Sequence, residues 1–221
     1  MAADDLANVV ISDSTLEECV NLFEKADECI RDSSLGWERI FERSEGVILR
    51  RPLEGGLFEY LLTGEFPNLN YSDFVCALHD LKYRKDWDTH TGALGTLVEA
   101  DERDGSTIIY WLVKYPWPLA DRDYVFKQRI VHHEDKKMYV IVKRATSHPS
   151  KPYTSSPVRV VRFRSETAAQ ETATGVRYVS FYADDPGGSI PTSVVNWAVK
   201  KAVPKVYDEL PTVVKNWKAK Q

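Results

Sequence analysis

The sequence predicts an α+β fold in which one strongly curved antiparallel β-sheet wraps around a long C-terminal helix. Nine runs of residues have strand-like patterns, and most of them are joined by connections short enough for hairpins. Helical periodicity occurs in three places, near both ends of the chain and at about 71–82. A curved sheet closed by one helix encloses a volume, and such a volume suits a hydrophobic ligand.

The first helix is predicted between Ser14 and Gly36. Ser14 followed three residues later by Glu17 is typical of a capping box, which satisfies backbone donors at a helix start. Apolar residues then recur at helical spacing, at Leu16, Cys19, Val20, Phe23, Ala26 and Ile30. We expect this acidic segment, about 1–35, to pack on the rest of a single domain that comprises residues 1–221.

The strands are predicted from a change of period to two that begins at Trp37. Gly55 and Gly56 indicate a turn between two of these strands. The segment from Thr107 to Val113 is apolar on both faces, which predicts a central strand covered on both sides. The later strand-like runs lie at 46–50, 57–65, 94–100, 107–115, 123–133, 138–145, 157–164 and 176–182.

Two further helices follow from apolar residues at helical spacing. The helix at about 71–82 has Asn70 or Ser72 as its candidate N-cap. The C-terminal helix begins at about 192, where Thr192 or Ser193 can cap it. Each proline within it removes a helix hydrogen bond, so a kink or a break is predicted at Pro204 and Pro211.

Charge is distributed unevenly along the 221 residues, although the net charge is only −4. Residues 1–45 contain 12 acids and 4 bases, whereas residues 190–221 contain 6 lysines and 2 acids. An acidic chain with one basic end disfavours nucleic-acid binding and favours contact of that end with an anionic membrane surface. Three widely spaced cysteines favour reduced thiols in a cytoplasmic protein. No apolar run reaches the roughly 18 residues of a transmembrane helix.

The motifs of common catalytic and metal sites do not occur in the sequence. It contains no HExxH, CxxC, GxSxG, GxGxxG or phosphate-binding loop pattern. His132 and His133 are adjacent on a predicted strand, so they point to opposite faces and cannot share a metal. Asp184 and Asp185 precede the turn at Gly187 and are expected to lie in solvent. We therefore expect no enzymatic activity, no metal and no cofactor.

Three segments carry a resemblance to a known family. They are Tyr83–Asp88 (YRKDWD), Tyr110–Tyr124 (YWLVKYPWPLADRDY) and Asp185–Pro191 (DPGGSIP), the last followed by Val194–Ala198 (VVNWA). In this order and spacing they resemble the StAR-related lipid transfer (START) domain, and within it the group that transfers phosphatidylcholine. The resemblance runs from about Trp37 to Trp217. It implies a helix-grip fold, in which the sheet grips the C-terminal helix and one lipid lies in a tunnel between them.

The resemblance also implies roles for individual residues. Arg84 and Asp88 would form the pair that binds the lipid phosphate. A quaternary ammonium has no hydrogen-bond donor, so aromatic faces must recognise it, and Trp111 and Tyr124 match positions of the family's choline cage. Phe163 falls where close relatives carry tyrosine as the third aromatic. The gate that contacts the membrane would comprise Trp117, Lys200, Lys201, Lys205 and Lys215.

The predicted function is that of a cytoplasmic, monomeric lipid carrier that moves phosphatidylcholine, or a related phospholipid, between membranes. A two-chain phospholipid exposes about 30 methylenes, so hiding them from water is worth on the order of 24 kcal/mol. Two alternatives stay open: a carrier or sensor of phosphatidylethanolamine, ceramide or sterol, and an enzyme on the same fold. The Arg84–Asp88 pair disfavours sterol, because sterol has no phosphate.

Overall fold

The structure, a computed structural model of the chain, describes residues 6–187 and 203–221. Its strands are β1 Glu38–Arg43, β2 Gly46–Pro52, β3 Phe58–Pro67, β4 Thr91–Val98, β5 Thr107–Val113, β6 Arg122–His133, β7 Met138–Ala145, β8 Val158–Arg159, β9 Arg162–Glu171 and β10 Gly175–Asp185. They form one ten-stranded sheet in the order β1-β2-β3-β10-β9-β7-β6-β5-β4, with β8 added beside β6. The β6–β8 pair is parallel and the other pairs are antiparallel, as predicted.

Two predictions about strands are corrected by this topology. The run predicted at 157–164 divides into β8, which pairs with β6, and β9, which pairs with β7 and β10. The predicted central position of β5 is wrong, because β5 lies second from the sheet edge. Its apolar character has another cause: Ile109 and Trp111 pack into a cluster around Tyr124.

The helices are α1 Asp13–Glu18, α2 Leu22–Arg31, α3 Tyr71–His79, α4 Leu81–Trp87 and α5 Val203–Lys218. The first predicted helix is thus divided by a 3₁₀ turn at Cys19–Asn21. Ser12, rather than Ser14, caps α1, since its hydroxyl accepts from the backbone N–H of Thr15. Within residues 6–187 and 203–221, no helix combines the length and the apolar character needed to cross a membrane.

The helix predicted at 71–82 is divided as well, and its second part, α4, continues beyond the predicted end to Trp87. Asn70 caps α3, as predicted, by accepting hydrogen bonds from two backbone N–H groups of the first turn. Asp80 has extended backbone angles, ends α3 and caps α4 in the same way. Its second carboxylate oxygen accepts from the indole nitrogen of Trp217 at 3.1 Å. The boundary between α3 and α4 is therefore bonded directly to α5.

Different helices cover the two faces of the sheet. Val140 and Val142 of β7 pack with Leu16 of α1 and Phe23 of α2, whereas Ile141 packs in the cluster formed by α3 and α5. This alternation is the period of two of a strand whose faces are both buried. The face that meets α3 and α5 also carries the candidate site described below.

The C-terminal helix is held to the sheet by packing. α5 continues through Pro211, so the helix does not break there. Leu210 and Val214 are buried, and the Tyr83 hydroxyl donates to the Val213 carbonyl at 2.7 Å, so tertiary contacts offset the helix hydrogen bond that Pro211 removes. The predicted caps Thr192 and Ser193 lie outside the described residues.

Tyr207 of α5 packs against the strands, and this contact depends on a glycine. Its ring lies 5.8 Å from the ring of Phe41 and 5.9 Å from that of Phe66, and its hydroxyl donates to the Thr63 carbonyl at 3.2 Å. A Cβ atom at Gly64 would lie 2.9 Å from the Tyr207 ring and 2.8 Å from the Glu45 carbonyl oxygen. Glycine at this position thus permits the close approach of helix and sheet.

We predict that Gly64→Ala destabilises the protein by about 1–3 kcal/mol, because the added methyl group must displace α5 or the strand. The measurement is the free energy of unfolding in urea. Gly95→Ala is the matched control, since a Cβ at Gly95 in β4 meets no atom within 4 Å. Equal stability of the two variants would contradict this account of the packing.

Candidate ligand-binding site

A cavity of about 30 Å³ lies between the α3–α4 pair and five strands of the sheet. Its lining comprises Leu78, His79, Leu81, Arg84, Leu94, Trp111, Phe126, Gln128, Lys143 and Phe163. Three of these residues, Arg84, Trp111 and Phe163, are predicted site residues. A larger groove of about 440 Å³ lies beside the segment 147–153, and none of the predicted site residues lines it. The chemistry therefore points to the smaller cavity.

Arg84 is fixed by one acid and two rings. Its Nε lies 3.0 Å from Asp88 Oδ2, one helical turn later, and the two side chains are 24% and 12% exposed. Its guanidinium carbon lies 4.5 Å from the ring centroid of Trp111 and 5.4 Å from that of Trp87. Asp88 also ends α4 and accepts from the backbone N–H of His90 at 3.1 Å. The predicted ion pair thus exists, with only Nε hydrogen-bonded among the described residues.

The three predicted aromatic residues are neighbours. Trp111 and Tyr124 are directly opposite each other on β5 and β6, with ring centroids 5.6 Å apart. Phe163 lies edge-on to Tyr124 at 5.5 Å, although it belongs to β9. Tyr182 of β10 continues the cluster, 5.8 Å from Phe163. Arg84 lies over Trp111, so its guanidinium occupies one end of the aromatic cluster.

Asp184 closes the other end of the aromatic cluster, so its predicted position in solvent is wrong. The hydroxyls of Tyr124 and Tyr182 both donate to its Oδ2, at 3.0 and 2.7 Å. Burial raises the pKa of Asp184 above its usual value, although the two hydroxyl donors act in the opposite direction. Strand alternation could have placed Asp184 on the face of Tyr182, two residues earlier.

His79, Gln128 and Lys143 are cavity residues that the sequence did not single out. His79 Nδ1 lies 3.1 Å from Gln128 Oε1. Burial holds the pKa of His79 well below its usual value, and the charges of Lys143 and Arg84 lower it further. Burial, followed by the charge of Arg84, lowers the pKa of Lys143 to about 7. The cavity therefore contains more basic than acidic side chains.

The predicted gate is described only in part. Trp117, in the loop between β5 and β6, is 93% exposed, and Lys215 of α5 is exposed as well. Lys200, Lys201 and the side chain of Lys205 lie outside the described residues. The predicted membrane contact of these five residues stays a prediction.

Sequence comparisons identify the relatives of this chain. The START domain model matches residues 72–220. The phosphatidylcholine transfer protein of Bos taurus is 33% identical over 191 residues, which cover 84% of this chain and 87% of that protein. The mitochondrial StAR-related lipid transfer protein 7 of Mus musculus is 27% identical over 215 residues, covering 88% of this chain and 57% of that protein.

Solved structures give the same result for the fold. The crystal structure of human STARD10 matches with a TM-score of 0.78 at 22% identity, covering 97% of this chain and 85% of that one. Human StAR-related lipid transfer protein 5 matches with a TM-score of 0.72 at 17% identity, covering 91% of this chain and 97% of that one. The predicted fold and the resemblance are confirmed, and the chain belongs to the START domain family.

Proposed function

We propose that this protein binds one phosphatidylcholine-type phospholipid and carries it between membranes. The observation that carries the proposal is the position of Arg84, whose guanidinium lines the cavity beside an aromatic cluster that ends at Asp184. The similarity to phosphatidylcholine transfer proteins and to other lipid transfer proteins supports it. The proposal assigns no catalytic step to the chain.

Arg84 is suited to bind the phosphate. A guanidinium can give two parallel hydrogen bonds to a phosphate, and such charge-assisted bonds are strong where water is excluded. Nε is bonded to Asp88, and the two terminal nitrogens have no hydrogen-bond partner among the described residues. Asp88 thus orients the side chain and leaves its outer nitrogens for the lipid.

The aromatic cluster is suited to bind the ammonium. A quaternary ammonium is attracted to ring faces and cannot donate a hydrogen bond. Arg84 covers one face of Trp111, so the rings of Tyr124 and Phe163 would supply the remaining contacts. Asp184, behind Tyr124, adds a negative charge that its hydroxyl donors hold in place. A headgroup with phosphate at one end and ammonium at the other would match this arrangement.

The acyl chains need more space than the described cavity provides. A volume of about 30 Å³ is roughly the space of one water molecule. Lipid uptake would therefore displace elements around the cavity, and the apolar lining so opened must match the roughly 24 kcal/mol by which a bilayer hides about 30 methylenes from water. We assign this movement to α5 and to the β5–β6 loop that carries Trp117.

We assign membrane contact to the same region, α5 with the lysines before it and the β5–β6 loop. The exposed indole of Trp117 suits the bilayer interface, where tryptophan is favoured. Lys215, with the lysines at 200, 201 and 205, would meet anionic headgroups at about 1 kcal/mol each. We propose a cytoplasmic monomer that contacts membranes transiently; its cysteines form no disulfide, as in a reducing compartment.

The proposal predicts that Arg84→Gln lowers the rate of phosphatidylcholine transfer at least about tenfold, because a charge-assisted hydrogen bond to the phosphate is lost. The measurement follows a fluorescent phosphatidylcholine from donor to acceptor vesicles. Lys85→Gln, at an exposed position of the same helix, is the control and should transfer normally.

The Arg84→Gln variant leaves Asp88 without its partner, which could destabilise the fold. The double variant Arg84→Gln/Asp88→Asn removes that buried charge, and it should also fail to transfer while showing a native circular dichroism spectrum. Normal transfer by either folded variant would refute the assigned phosphate site.

A second prediction concerns the ammonium end of the site. Asp184→Asn should lower the preference for phosphatidylcholine over phosphatidylglycerol about tenfold, because the ammonium loses its negative partner. Since burial raises the pKa of Asp184, the variant should be at least as stable as the parent at pH 7, and this advantage should shrink as falling pH protonates Asp184. Headgroup preference is measured by competition between the two lipids, and stability by urea unfolding.

Asp185→Asn is the control, because the Asp185 carboxylate accepts from the Gly187 N–H, whereas the hydroxyls of Tyr124 and Tyr182 donate to Asp184. An unchanged headgroup preference in Asp184→Asn would contradict the role of Asp184.

A further inference from the structure

Lys143 lies in the wall of the cavity that holds Arg84. In β7, Val140 and Val142 face α1 and α2, whereas Ile141 faces α3 and α5. Lys143 follows Ile141 by two residues and therefore points to the cavity side, where it lines the wall with Arg84 and His79. The residues beside it on β6 and β9 are Gln128 and Ser165, which carry no charge.

No acid neutralises Lys143 within the described part of the chain. Its ammonium forms no ion pair there, and its Nζ lies 5.7 Å from the ring centroid of Phe126. Asp88, the acid paired with Arg84, does not line the cavity. Arg84, Asp88 and Lys143 together thus leave one positive charge in excess when Lys143 is protonated.

A buried ammonium without a counterion is unfavourable, and a bound anion would remove the cost. We propose that Lys143 is a second phosphate-binding residue, which holds the lipid phosphate together with Arg84. This inference rests on the proposed function. The distribution of charges then fits a zwitterionic phospholipid: Asp88 balances Arg84, the phosphate balances Lys143, and the ammonium faces Asp184.

The proposal makes lipid binding dependent on pH. Of the groups around Lys143, Arg84 on α4 is paired with Asp88, burial and the charges of Lys143 and Arg84 hold the pKa of His79 on α3 well below its usual value, and burial raises the pKa of Tyr178 on β10. The pKa of Lys143 itself is lowered to about 7. A phosphate beside the ammonium would raise that pKa, so affinity should be full below about pH 7 and should fall as the pH rises above it.

The test compares Lys143→Met and Lys143→Arg in the full chain, with Lys136→Met, at an exposed position before β7, as the control. The probe is phosphatidylcholine in vesicles, and dioleoylglycerol, which has no phosphate, is the comparison lipid. Binding of each lipid is measured from about pH 6 to about pH 9 by native mass spectrometry after vesicle removal.

We expect Lys143→Met to bind phosphatidylcholine about tenfold less at pH 6 and to lose the pH dependence, with diacylglycerol binding unchanged. Lys143→Arg should bind phosphatidylcholine at every pH tested, because its charge does not titrate there. The control should behave as the parent.

The inference fails if Lys143→Met binds phosphatidylcholine as well as the parent at pH 6, or if it loses both lipids equally, which would indicate a structural role. The proposed function fails separately, if the parent protein itself takes up no phospholipid from the vesicles.

Discussion

A positive charge held inside an apolar fold is the constraint on which the site depends. Removing a guanidinium from water costs several kcal/mol even after the protein relaxes, and a buried ion pair seldom repays the cost in stability. Asp88, one turn later, and two indole rings that face Arg84 stabilise its guanidinium in this place. An anionic ligand gives a physical reason for keeping such a residue in the cavity wall.

The fold supplies the geometry that this charge needs. The break at Asp80 begins a separate helix that carries Arg84 and ends at Asp88. On the sheet, β7 ends at Ala145, opposite Phe126, so the ring of Phe163 on β9 can reach Tyr124 on β6 beyond that end. The aromatic cluster therefore forms where one strand is missing between two others, and Asp184 lies in register with Phe163 on the next strand.

Local sequence patterns predicted those parts of the fold that depend on local physics. The period of two located most strands, the cap at Asn70 was readable from its side chain, and Gly36 has the left-handed conformation expected after a helix end. The ion pair of Arg84 and Asp88 was implied by the resemblance, and it fits their spacing of four because the structure places Arg84 in α4 and Asp88 at its end. The roles of the site residues were implied by the resemblance to the START domain and not by the periodicity of the sequence.

Features that depend on tertiary structure could not be read in this way. The strand β5 is apolar because it faces an aromatic cluster. In the sequence, such a strand looks the same as an apolar strand in the centre of a sheet. Pro211 is tolerated because Leu210 and Val214 are packed against other elements. Asp184 and Lys143 look like ordinary surface charges until the sheet places one behind Tyr124 and the other beside Arg84.

We propose that the cavity selects a lipid by its phosphate and its ammonium. The most direct measurement is native mass spectrometry of the purified protein with the lipid it retains from cells, followed by fragmentation to identify the headgroup. The account predicts one phospholipid per chain that yields a phosphocholine fragment. A retained sterol or ceramide, which contains no phosphate, would contradict it.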